Sequence, residues 1–181
     1  VDALVNQDLV YYDHQMDMET CFEKYSFHEF KWHQTPNGDM EWIFMLNRQG
    51  YLVDLAVAFY VTKEEKYLKK WKEIVFDFIV ENEEEISHPE ASWRVLDAGI
   101  RLMNWVKSLT YLPLSEFSEE EKKQIQEAMS LHANYICTHL QEKHLLSNWG
   151  VLAVSGVLSF VYFFDEQPEL YLWAKETLLK Q

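Results

Sequence analysis

Only five glycines and four prolines occur in the 181 residues. A sandwich or barrel of short strands needs far more turn residues, so helices carry this fold. Two cysteines, Cys21 and Cys137, lie far apart with no Cys-x-x-Cys pair. They fit a disulfide and, at least as well, two buried thiols, and neither is assigned chemistry. No apolar run is long enough to cross a bilayer; the longest, Val151 to Phe164, is broken by Ser and Gly. Positive charge is scarce, with 16 Lys and Arg against 30 Asp and Glu, a net charge of −14. That balance speaks against nucleic acid and an acidic membrane as partners. The seven histidines form no His-x-x-x-His pair, and neither a Gly-rich phosphate loop nor a Gly-x-Ser-x-Gly elbow occurs. No metal and no cofactor is therefore expected. The chain opens on Val1-Asp2-Ala3, neither an initiator Met nor a signal peptide, and reads as the interior of a longer gene product.

What is present is a globular composition, 48% hydrophobic and 15% aromatic, enough for one real core. Residues 1–36 read as a leader, one short helix and a loop that ends at the turn signal Thr35-Pro36-Asn37-Gly38. Six helices then alternate in character. The first, about 39–60, is apolar nearly all round. The second, about 63–82, opens with Thr62-x-x-Glu65 as a capping box and carries one stripe of Tyr67, Leu68, Trp71, Ile74, Val75 and Phe78. The third, about 91–111, is again apolar on most sides. The fourth, about 119–141, opens with Ser118-x-x-Glu121 and has a single stripe through Ile125, Met129, His132 and Ile136. The fifth, about 147–164, reads as buried. The sixth, about 168–180, starts with Pro168 and is amphipathic.

Buried helices alternating with amphipathic ones predict stacked hairpins with an inner and an outer layer. Short antiparallel connections then gather the N-termini of the inner helices on one rim. Trp42, Trp93 and Trp149 fall near those starts at separations of 51 and 56, which fits one hairpin per repeat. The alternative is an irregular helical domain.

The chain has three arginines, Arg48, Arg94 and Arg101, all on the expected inner helices. Arginine suits a bidentate grip on carboxylate or sulfate; pairing with buried Asp54 or Asp97 is the structural alternative. The third helix carries Arg94, Asp97, Arg101, Asn104 and Ser108 at spacings of 3, 4, 3 and 4, one polar face on a buried helix. Such a face is satisfied internally or lines a cleft. The fifth helix begins Ser147-Asn148-Trp149-Gly150. Asn148 fits an N-cap, but Ser147 can cap instead and free Asn148 to point outward. Trp149 offers an apolar face of the kind sugars stack on, and helix N-termini add partial positive charge. Screening confines each charge to about 10 Å, so such a rim can bind anions despite the net charge.

Several segments together resemble the N-terminal helical domain of the heparinase II/III-like polysaccharide lyase superfamily. They are Glu41-Trp42 with Leu46-Asn47-Arg48; Leu55 to Thr62; Trp93 to Arg101 with Asn104-Trp105; and Ser147-Asn148-Trp149-Gly150 running on to Gly156. The resemblance covers about 38–181. It implies an all-α fold, an incomplete (α/α) toroid of antiparallel hairpins over 37–181, with the toroid remainder and a β-sandwich domain following in relatives. It also implies β-elimination on an anionic uronic-acid polysaccharide or oligosaccharide, heparin or heparan sulfate first among them, in the periplasm or outside the cell. Asn148 matches the residue that neutralises the uronate carboxylate. Trp42, Asn47, Arg48, Trp93, Arg94, Arg101 and Trp149 are the expected substrate-binding residues. Some relatives carry His after this Asn, where this chain has Trp149. The catalytic Tyr of the family comes downstream of the matched region, so the chain alone is expected to be inactive or nearly so. Two other readings stay open: a toroid glycoside hydrolase using a carboxylate pair drawn from Glu41, Asp54 and Asp97, and a non-catalytic helical module that binds a glycan or protein.

Overall fold

The computed structural model describes residues 1–10, 25–27, 31–36, 38–82, 86, 88–164 and 167–180. The leader begins with α1 (Asp2–Gln7). A short antiparallel pair follows, β1 (Leu9–Val10) with β2 (Tyr25–Ser26), and was not expected. The rest is helical: α2 (Met40–Arg48), α3 (Tyr51–Thr62), α4 (Glu65–Glu81), α5 (Val95–Leu109), α6 (Glu119–His139), α7 (Glu142–Leu145), α8 (Asn148–Phe164) and α9 (Pro168–Leu178). Of the proposed turn, Asn37 lies outside the described residues, as does Cys21. Cys137 is a half-buried free thiol that burial pushes up to about 12.

The outer helices follow their stripes. In α4 the buried side chains include Tyr67, Leu68, Trp71, Ile74, Val75 and Phe78, with most of the lysines and glutamates turned outward. In α6 they are Ile125, Met129, His132, Ala133 and Ile136. The helix start at Ser118 is a true capping box: Ser118 Oγ accepts from Glu121 N–H and the Glu121 carboxylate accepts from Ser118 N–H. Such a cap is worth about 1 kcal/mol. Thr62-x-x-Glu65 is not one. Lys63 turns left-handed at φ +60°, so Thr62 ends α3, and its hydroxyl donates to Ala58 O.

The first inner helix is two helices. Gln49 takes φ +53° and breaks the run between Arg48 and Gly50. A left-handed non-glycine residue costs energy. Here the buried Gln49 side chain accepts a 2.6 Å hydrogen bond from the Trp105 indole and fixes the corner. The inner helix α5 packs against α2, α3, α6 and α8. It crosses α8 where Gly99 and Gly156 meet backbone to backbone, with no room for a Cβ on either. The helix α8, expected to be buried, is so only along Gly150, Ala153, Val154, Gly156, Val157, Phe160 and Val161; Val151 and Tyr162 stay exposed.

Arg101 and His132 join α5 to α6 in the interior. Arg101 Nε donates to His132 Nε2 at 2.7 Å, so the ring proton sits on Nδ1 and is donated to Ala128 O at 2.7 Å. Burial, and then the Arg101 charge, hold the His132 pKa well below its usual value. An unfolded chain takes up that proton below about pH 6.5 and the folded chain does not, so stability falls as pH drops through that value. The expected slope for this one group is about 1.4 kcal/mol per pH unit. Thermal unfolding of wild type and His132→Gln between pH 5 and 8 measures it; an equal slope in both would refute the assignment.

Candidate functional site

Trp93 fixes where α5 begins. Its indole donates to Asn82 Oδ1 at 2.6 Å and its ring packs on His132 at 4.3 Å. The next residue, Arg94, occupies the N-cap position of α5, and Asp97 lies one turn on. Asp97 is 0% exposed, and each of its oxygens takes one guanidinium. Arg94 Nε donates to Oδ2 at 2.5 Å and Arg48 Nε, from the end of α2, donates to Oδ1 at 2.7 Å. The Asn104 amide donates to the Arg48 carbonyl at 2.8 Å and ties that helix end to α5.

The Arg94 guanidinium lies over two rings, 3.1 Å from the Phe44 centroid and 5.3 Å from the Trp149 centroid. The His144 ring lies near-parallel to the Trp149 ring, with centroids 6.1 Å apart. Ser147 Oγ accepts from Trp149 N–H at 3.3 Å and so caps α8. Asn148 is exposed, and its amide has no hydrogen-bond partner among the described residues. Trp149 is 38% exposed. The corner thus joins a free amide, a half-open indole and two partly exposed guanidiniums sharing one carboxylate, a local charge of +1.

Four of the expected ligand residues lie elsewhere. Trp42, Asn47, Trp93 and Arg101 are each 0% exposed. Trp42 meets Tyr25 edge to face at 5.3 Å. Asn47 donates to Trp32 O and Ile43 O. Arg101 donates from Nη1 to Asn47 O and Ser92 O and stacks on Phe78 and Trp93. Burial pushes its pKa down to about 9. These side chains hold the interior together and do not face a ligand. Ser108, at the deep end of the polar face, accepts from the Trp71 indole. Asp54 and Glu41 are exposed, while Asp97 is buried and consumed by two guanidiniums, so it is not a free carboxylate for acid or base work.

Phe44 and His144 escaped the sequence reading. Phe44 precedes Arg48 by one helical turn, a spacing that places both on one face and was a usable signal. His144 had none, because the short helix α7 that presents it was read as part of a connection.

A family model described as heparinase II/III N-terminus matches residues 2–179. Among solved structures, the chain is similar to the heparan sulfate lyase HepC from Pedobacter heparinus, with a TM-score of 0.80 and 18% identity over 99% of this chain and 27% of that one. It is also similar to a heparinase III, with a TM-score of 0.78 and 19% identity over 97% of this chain and 29% of that one. The chain therefore spans under a third of either. At this identity the likeness concerns the fold, an all-α incomplete toroid of hairpins. No curated protein sequence matches.

Proposed function

The chain belongs to the heparinase II/III N-terminal family, and from that premise we propose that it is the part of a polysaccharide lyase that grips a uronic-acid chain for β-elimination. Heparin or heparan sulfate is the first substrate to test. The observation that carries this reading is the exposed, unpartnered Asn148 amide beside Trp149 and Arg94.

In β-elimination the proton at C5 leaves, the electron pair forms a C4–C5 double bond, and the C4–O bond breaks. The barrier is the negative charge that spreads onto the uronate carboxylate once the proton departs. A donor fixed at that oxygen lowers it. Asn148 supplies neutral N–H donors, Arg94 a delocalised charge, and Trp149 the exposed part of its indole for apolar contact with a sugar ring. The residue that accepts the proton is not assigned to this chain. Tyr51 donates to Leu46 O, and Tyr60 and Tyr111 pack on each other at 5.9 Å. Such a protein works where it meets polysaccharide, in the periplasm or outside the cell. Among the described residues no helix is long and apolar enough to cross a membrane.

The test is to incubate this chain, and the longest gene product that contains it, with heparan sulfate, heparin, chondroitin, hyaluronan and alginate. The expected result is near-ultraviolet absorbance from a new unsaturated uronate with the longer protein and little or none with the chain alone. Reducing ends without a double bond would replace the lyase by a hydrolase. Binding without turnover in either protein would leave a glycan-binding module.

A further inference from the structure

We propose that Asp97 is a positioning residue that shapes Arg48 and Arg94 into a forked clamp for a single oxyanion, carboxylate or sulfate. The inference rests on the reading of the Asn148 corner as an anion site and adds how that site is built. A carboxylate with no exposure persists only when paired. Asp97 has two cationic partners, one per oxygen, and both reach it through Nε. That choice of atom matters. An arginine bound through its Nη groups would spend its fork on the protein, whereas one bound through Nε keeps the fork for a ligand. Among the described residues Arg94 Nη1 and Nη2 have no acceptor, and Arg48 uses only Nη1, on the Met45 sulfur at 3.0 Å. The two side chains are 21% and 19% exposed, whereas Asp97 is fully buried.

The planes are also fixed. The Arg94 guanidinium packs on Phe44 at 3.1 Å and near Trp149 at 5.3 Å, and Asn104 holds the Arg48 backbone. The trio sums to +1, so one monoanionic group neutralises it.

Positioning and simple attraction predict opposite signs for Asp97→Asn. The substitution raises the local charge from +1 to +2, so attraction alone tightens anion binding. If Asp97 positions, two guanidiniums lose their shared anchor, repel each other and splay, and binding weakens despite the higher charge.

The chain has only three arginines, so its Nε–H signals in a nitrogen-labelled NMR spectrum are few and separable. Arg101, bonded to His132 in the interior, reports on the fold. The probe is inorganic sulfate. In the wild type, sulfate shifts the Nη–H signals of Arg48 and Arg94, leaves their Nε–H protons protected from exchange, and does not move Arg101. In Asp97→Asn the sulfate dissociation constant rises at least about tenfold, the scale of one lost charge-assisted contact, while the Arg101 signal stays in place. Equal or tighter sulfate binding by Asp97→Asn overturns the proposal. So does loss of Nε–H protection when sulfate binds the wild type, a measurement that needs no variant to fold. A heparan sulfate tetrasaccharide titrated in parallel separates the two readings. Sulfate held as expected with no tetrasaccharide binding keeps the clamp and removes the uronate site. Tetrasaccharide binding that leaves Arg48 and Arg94 unmoved keeps the site and removes the clamp.

Discussion

Gly156→Ala is expected to cost about 2–3 kcal/mol of stability, near the upper end for inserting a methyl group into a packed interior. A Cβ at Gly156 would lie 2.4 Å from the Gly99 carbonyl oxygen and 2.9 Å from its carbon atoms. The reverse holds at Gly99, whose Cβ would lie 2.4 Å from Ala153 Cα. These neighbours are backbone, so no rotamer change relieves the clash; α5 and α8 have to part. Alanine regains up to about 1 kcal/mol of helix propensity, which the estimate already offsets. Separation would also lift Trp149 from Arg94, since these two helices bring that pair together. The thermal midpoint should fall by about 5–10 °C for a chain of this size. Gly50→Ala is the control. Gly50 has φ −58° and its added Cβ meets only Asn104 Nδ2, at 3.8 Å. It should be neutral or stabilise by up to about 1 kcal/mol, by restricting the unfolded chain. Urea unfolding of both variants decides the point. A Gly156→Ala midpoint equal to wild type would mean that the crossing is looser than described.

How much of this was legible follows from which interactions are local. The Ser118 capping box and the α4 stripe depend on neighbours within one or two turns, and the sequence reading found both. The break between α2 and α3 depends on Trp105, 56 residues beyond Gln49, and no local pattern marks it. Thr62 misled for a related reason. The pattern of a capping box is there, but Lys63 takes the left-handed turn and moves the N-cap to Glu64. The tryptophan spacing marked helix starts well enough to suggest hairpins. It could not say which way each indole points, and the size of Trp favours the interior, where Trp42 and Trp93 lie. The polar face of α5 shows the same limit. Arg94 and Arg101 share it, but depth separates them: one sits at the open end of the helix, the other among Phe78, Trp93 and His132. By sequence Asp97 fits both a structural partner and a hydrolytic acid. That one carboxylate holds two arginines from different helices is a fact of packing alone.

Asn148→Ala, made in the longest gene product that contains this chain, is expected to lower kcat on its preferred uronan by about 10²–10³ while leaving stability within about 0.5 kcal/mol. The two halves of that expectation come from one piece of geometry. Were Asn148 the helix cap, its loss would cost about 1 kcal/mol of stability. Ser147 fills that role, with its Oγ accepting from Trp149 N–H, and the Asn148 side chain is exposed with no partner among the described residues. An amide that does nothing for the fold is free to act on a ligand. Its two N–H groups carry no charge, so they bind the ground-state carboxylate only modestly. They gain as charge builds on that group after the C5 proton leaves, and a contact that strengthens toward the transition state appears in kcat rather than KM. On the proposed reading Arg48 and Arg94, charged throughout, supply most of the initial grip, so KM should change little. The measurement is initial-rate kinetics by unsaturated-uronate absorbance alongside thermal unfolding. A folded variant within about fivefold of wild type would remove Asn148 as the donor. A variant that loses stability together with rate would return it to the role of a cap, and the search for the donor would move to the guanidiniums beside it.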